Sequence, residues 1–166
     1  ASSCVASAST CYIGTYGSSA TTGYIQYQGT NITTGGFTIN AARNAYLGLN
    51  TNISAISGDK VNITLTTNVA SGTIDLSAGT ITLNGSGGAI SFTSDGMTLA
   101  GANNSNVIQS VGGTLNIAPQ STGTTIGIGT GAGTLSLPNI LWNGSTTGAA
   151  PTASNITNAI FKPGFS

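Results

Sequence analysis

Few side chains in this sequence can act as acid, base, nucleophile or ligand, and their spacing limits what chemistry they could do. Three carboxylates (Asp59, Asp75, Asp95) and three cations (Arg43, Lys60, Lys162) are scattered along the chain, with no Glu and no His. Hard oxygen donors of this kind can hold calcium, but no Asp-x-Asp or Gly-Gly-x-Gly-x-Asp pattern gathers them. Asp75 alternates outward between Ile74 and Leu76, and Gly58-Asp59 and Asp95-Gly96 read as turns. Without His, a catalytic triad, an imidazole-bound zinc or haem and a pH switch near neutrality lack their usual residue. A carbohydrate-active β-helix enzyme would need several carboxylates or an Arg/Lys cluster on one face, and Arg43 stands alone. No enzymatic activity, metal or cofactor is expected.

Three other groups of residues carry weaker chemical signals. Gly-x-Gly runs at 127–133 lack the Lys and following helix of a phosphate loop, so they read as turns. Cys4 and Cys11 can close a short disulfide loop that ties down the N-terminal zone, as suits an oxidising compartment. Two buried thiols, or a bond to a neighbouring subunit, are the alternatives. Asn-x-Ser/Thr sequons at Asn31, Asn52, Asn62, Asn84, Asn103, Asn143 and Asn155 are candidate glycan acceptors. With 16 Asn in a chain holding 47 Ser and Thr, chance produces most of them. Tyr12, Tyr16, Tyr24 and Tyr27 could stack on surface or host glycans, although Tyr24 and Tyr27 fall on opposite faces of a strand, which favours interface packing.

The elements that position these residues are set by an unusual composition. The chain has 166 residues, enough for one domain, yet only 4% are charged and the formal net charge is zero. Three dispersed cations cannot form the basic footprint that nucleic acid or anionic lipid requires. No apolar run reaches the 18 or more residues of a membrane span. A small-residue start, Ala1-Ser2-Ser3, would suit a product of signal-peptide cleavage. Loss of net repulsion promotes association, so copies of the chain itself are the expected partners, and the cell surface or extracellular space the expected location.

Order is carried by a repeated phrase: a glycine, usually a Thr, then apolar-x-apolar. It occurs at Gly72-Thr73-Ile74-Asp75-Leu76, Gly79-Thr80-Ile81-Thr82-Leu83, Gly88-Ala89-Ile90-Ser91-Phe92, Gly113-Thr114-Leu115-Asn116-Ile117 and Gly133-Thr134-Leu135-Ser136-Leu137. Strict alternation over such lengths marks short half-buried strands, and glycines between them permit turns of positive φ. Only residues 41–47 offer room for a short helix or turn. The first apolar residues fall at 74, 81, 90, 97, 108, 115, 126 and 135. Taking every second start gives a nearly regular period. This spacing predicts an all-β parallel β-helix or β-solenoid with two main strands per coil of about 16–20 residues. A β-sandwich pilin-like subunit, assembled by strand donation, has similar strand spacing, but its strands need not share one template. The repeats occupy residues 31–142, flanked by a Cys- and Tyr-bearing cap, anchor or interface at 1–30 and an irregular cap or interface at 143–166.

Between Gly72 and Leu137 the text resembles the β-strand repeats of filamentous-haemagglutinin-type surface exoproteins, most closely at residues 122–137. That resemblance, confined to about 72–142, implies a right-handed parallel β-helix, export across an outer membrane, and a role in adhesion or fibre formation. Residues 1–30 do not match the secretion domain of that family. The combined expectation is a non-enzymatic structural protein, a subunit or segment of a self-assembling surface fibre or adhesin, with residues 1–30 or 150–166 docking onto a neighbouring copy. In the repeats, Ile74, Leu76, Ile81, Leu83, Ile90, Phe92, Leu115, Ile117, Ile126, Ile128, Leu135 and Leu137 are expected inside, and Asp75, Thr82, Ser91, Asn116 and Ser136 outside.

Overall fold

Short alternating segments become strands when a neighbouring segment supplies the backbone partners that each one lacks by itself. The computed structural model describes residues 12–16, 24–28, 36–41, 44–47, 51–54, 60–77, 80–99, 106–129, 131–138 and 159–166. Among the described residues there is no helix. The strands are β1 (Tyr12–Tyr16), β2 (Tyr24–Gln28), β3 (Gly36–Ala41), β4 (Asn44–Leu47), β5 (Asn52–Ser54), β6 (Asn62–Thr67), β7 (Thr73–Leu76), β8 (Thr82–Asn84), β9 (Ile90–Thr93), β10 (Gly96–Leu99), β11 (Val107–Gln109), β12 (Leu115–Ala118), β13 (Ile126–Ile128) and β14 (Leu135–Leu137). Of residues 41–47, the expected place of a short helix or turn, Ala41 therefore ends β3 and 44–47 form β4, not a helix, while 42 and 43 lie outside the described residues. Thr73 and Ile74 pair with Asn44 and Ala45, and that pairing satisfies the backbone in extended form.

The chain is all-β, with parallel strands in stacked sheets, an arrangement consistent with a β-solenoid. One sheet runs β1-β2-β4-β7-β10, a second β5-β8-β11 and a third β3-β6-β9-β12, with β13 and β14 forming a separate pair. From β3 to β12 successive strands go to the third, first and second sheets in turn. Only the β1–β2 hairpin is antiparallel among the described pairings. In the third sheet Gly36 lies beside Asn62, Ile63 beside Ile90 and Ile90 beside Leu115. Each circuit thus contains three strands. This corrects the expected coil of two strands, which was too short by one strand and its turn. Apolar alternation has the same period in every strand, so spacing cannot tell how many strands make a circuit; the hydrogen-bond register does.

Stacked circuits place like residues in columns. Ile39, Leu65 and Phe92 follow one another through the third sheet and Ile53, Leu83 and Ile108 through the second, all buried. Of the expected interior set, Ile74, Leu76, Ile81, Leu83, Ile90, Phe92, Leu135 and Leu137 are buried. Leu115 and Ile117 are half-buried, and Ile126 and Ile128 are 43% and 63% exposed. The register sets Ile126 beside Leu135 and Ile128 beside Leu137, on the same face of the pair. The expected burial of Ile126 and Ile128 is therefore corrected: alternation sets which side chains share a face, but whether anything covers that face depends on position in the stack. Outward Asp75, Thr82 and Ser91 are half-buried because neighbouring strands flank them, whereas Asn116 and Ser136 are exposed.

The repeated glycines do two different jobs. Gly87 and Gly112 take positive φ, 93° and 73°, as tight turns require. Gly88 and Gly113, which follow them, sit where one coil's backbone presses on the next. A Cβ on Gly88 would lie 2.2 Å from the Val61 carbonyl oxygen, and one on Gly113 would lie 2.2 Å from that of Gly88. Buried polar side chains staple the other corners. Asn106 accepts from the Ile81 N–H (2.8 Å) and donates to the Leu76 carbonyl (2.7 Å), and Ser94 accepts from the Thr67 hydroxyl (3.1 Å) while donating to the Gly72 carbonyl (2.7 Å).

Denaturant melts should rank four substitutions. Phe92→Ala empties the core and should cost about 3–5 kcal/mol. Gly88→Ala drives a methyl into backbone that cannot swing aside and should cost about 3 kcal/mol or more. Gly112→Ala, with nothing within 4 Å of its new Cβ, should cost only the left-handed strain of about 1–2 kcal/mol. Asn116→Ser, exposed on the outer face, should change stability by no more than about 0.5 kcal/mol.

Candidate assembly edges

Among the described residues, two of the few side chains that could do chemistry are engaged locally. Asp75, on β7, accepts the Ser77 N–H at 2.8 Å as a turn cap. Lys162 donates to the Ala159 carbonyl at 2.7 Å within its own turn. No group of three or more His, Cys, Asp or Glu that could hold a metal lies among the described residues. Arg43, Asp59, Cys4 and Cys11 fall outside the described residues, as do the sequons at Asn31, Asn103, Asn143 and Asn155. Asn62, on the outer face of β6, is exposed and accepts the Ala89 N–H of the next coil (2.9 Å). Asn52 and Asn84 are half-buried; the first accepts the Ser54 hydroxyl (2.6 Å) and the second the Ser86 N–H (3.0 Å).

The glycine run at 127–133 joins β13 to β14. Parallel neighbours ordinarily need a crossover of a dozen or more residues, yet here only residues 129–134 intervene. Glycine makes that possible: a Cβ on Gly133 would lie 2.0 Å from the Gly127 nitrogen, so the returning chain crosses β13 in direct backbone contact. The Gly129 N–H donates to the Leu137 carbonyl at 2.9 Å and closes the loop.

Asp95 is where the sequence suggested a turn and the structure supplies a clamp. Its buried carboxylate accepts the Gln120 and Ser121 N–H groups (3.0 and 2.9 Å) and the Ser121 and Thr124 hydroxyls (2.5 and 3.1 Å). One residue of the third circuit therefore organises the loop 120–124 of the fourth. The Ser121 hydroxyl and N–H, with help from Thr124 and the Ser71 N–H, outweigh desolvation and hold the carboxyl at about 2, against an ordinary 3.8. The sequence carried no signal for this beyond the Asp-Gly turn, because the partners lie a whole circuit further along the chain.

The two ends of the stack differ from its middle. At one end β1 is the outermost strand of the first sheet, with β2 as its strand neighbour. At the other, the tail adds itself to the second sheet: Phe161 bridges Ile108, the Lys162 N–H reaches the Ile108 carbonyl (2.9 Å), and the Ser166 N–H reaches the Gly113 carbonyl (2.8 Å). Ile160 and Phe161 are buried by this contact. The edge beyond β11 is thus covered by the chain's own C-terminal segment, while β13 has β14 on one side and shows Ile126 and Ile128 to solvent, as Val111 is shown nearby in the chain at 71% exposure. Such an edge is a template for a further strand. Comparison with protein-family models, with curated proteins and with solved structures gave no match.

A pH titration of stability checks the clamp. The folded-state value of Asp95 lies below the unfolded one, so its contribution is present above about pH 4 and is lost as pH falls toward 2. Melting temperatures of the wild type should drop across that window, and Asp95→Asn should remove this part of the drop.

Proposed function

We propose that this chain is a non-enzymatic, extracellular structural protein: a right-handed parallel β-helix that stacks end to end into a surface fibre or adhesin. The observation that carries the reading is the pair of unequal ends, with an added hairpin at β1–β2 and an apolar edge at β13, whose one strand neighbour among the described residues is β14. The zero net charge supports it, since nothing in the charge balance holds copies apart. Gatekeeping Lys or Glu, which would blunt such edges, is scarce in the sequence. The glycine-led repeats resemble those of filamentous-haemagglutinin-type exoproteins, which fits export and a Cys4–Cys11 bond formed outside the cytoplasm. In this reading residues 1–30 dock onto the β13 end of the next copy.

Electron microscopy and sedimentation of the full chain test this. Filaments should form, and deletion of residues 1–30 should leave short soluble species. Replacing Ile126 and Ile128 by Lys should raise the concentration needed for assembly by tenfold or more, because burial of such a side chain is worth about 1.5–3 kcal/mol and each 1.4 kcal/mol is about tenfold. A wild-type chain that remains monomeric at high concentration would overturn the proposal.

A further inference from the structure

The outer face of the third sheet is rich in hydroxyls, whereas the second sheet, equally free of charge, presents amides and an apolar Val107 together with Ser54 and Thr82. Register places Thr38, Thr64 and Ser91 in one column, and Asn40, Thr66 and Thr93 in the next. Charged side chains are absent from the outward positions of β3, β6, β9 and β12, whereas the first sheet presents Asp75 and Tyr46. The hydroxyls of Thr38, Thr64, Thr66 and Thr93 have no hydrogen-bond partner among the described residues. They repeat at about 4.8 Å between strands and about 6.7 Å along them, the spacings of any in-register sheet.

We infer that this face is the lateral contact between copies of the chain in neighbouring fibres, a surface distinct from the end-to-end edges and resting on the fibre reading above. A hydroxyl both donates and accepts, so two identical hydroxyl grids can satisfy each other, which grids of carboxylates or ammonium groups cannot. Two first-sheet faces would instead bring Asp75 against its own copy. Stacking on sugars calls for aromatic faces, and the outward positions of the third sheet hold none.

Area decides when the contact acts. Four strands about 4.8 Å apart and some five residues long cover roughly 300 Å² per copy, well short of the roughly 800 Å² per partner of a stable pair. Free chains should not dimerise through this face. Fibres should, because each stacked copy adds its patch to one that is already aligned, and linked weak contacts multiply.

The test is negative-stain microscopy and sedimentation of the full chain with Thr64→Lys/Thr93→Lys and Thr64→Glu/Thr93→Glu variants. Wild-type fibres should lie side by side in bundles. Each variant alone should give single fibres of wild-type length, with a loss of bundled fibres of at least tenfold. Mixing the Lys and Glu fibres should restore bundling, which a merely misfolded variant could not do. Single wild-type fibres, or variants that bundle as the wild type does, would overturn the lateral contact and leave end-to-end assembly standing. Wild-type bundles that neither variant mixture restores, or free chains that dimerise through this face, would also overturn it. Absence of any fibre would overturn both proposals.

Discussion

Backbone hydrogen bonding from one circuit to the next, held in register, is the interaction on which everything else in this molecule rests. A strand of three or four residues is too short to persist alone, and here most strands are that short. Each persists because the strands beside it supply backbone partners at matching positions. The same register lines up Ile, Leu and Phe in narrow interior columns, so a lean apolar complement still fills a continuous core. It also explains why corners are so constrained: Gly88 and Gly113 must lack a Cβ because adjacent coils approach at backbone distance, and Asn106, Ser94 and Asp95 reach from one circuit into another to satisfy polar groups that the ladders leave unpaired at the corners.

A structure that grows by adding partners in one direction has to end somewhere, and the ends are where function is to be sought. The C-terminal tail completes the second sheet beyond β11, and the N-terminal hairpin extends the first. Neither treatment reaches β13, where apolar side chains meet solvent. The polar face of the third sheet presents the complementary case, a regular surface on which the hydroxyls of Thr38, Thr64, Thr66 and Thr93 have no hydrogen-bond partner among the described residues. In the assembly proposed above, end and face take different occupants, and the near absence of charge opposes neither contact.

Much of the strand content was legible from residue types. Glycine-led alternation marked β7 to β9 and β12 with correct inward and outward assignments, since pleating forces neighbours to opposite sides. The scarcity of acids and bases was legible too, and no three acidic, Cys or His side chains come together among the described residues. Gly-Gly pairs signalled turns, although the reason for the second glycine, a coil above it, is not a local property. The clamp at Asp95 and the tight parallel return of β13 onto β14 left almost no trace, because both depend on atoms distant in sequence or on a backbone crossing that no periodicity encodes.

What the sequence determined by itself was local: which residues extend, which side each faces, and that little repulsion opposes association. Alternation and turn chemistry act over a few residues, so they are written where they act. The number of strands per circuit, the exposure of Ile126 and Ile128 beside buried Leu135 and Leu137, and the division of glycine roles between turn and contact were decided only by tertiary structure. Each is a matter of what lies above or below a strand, one full circuit away along the chain, and identical local patterns are compatible with a neighbour or with water.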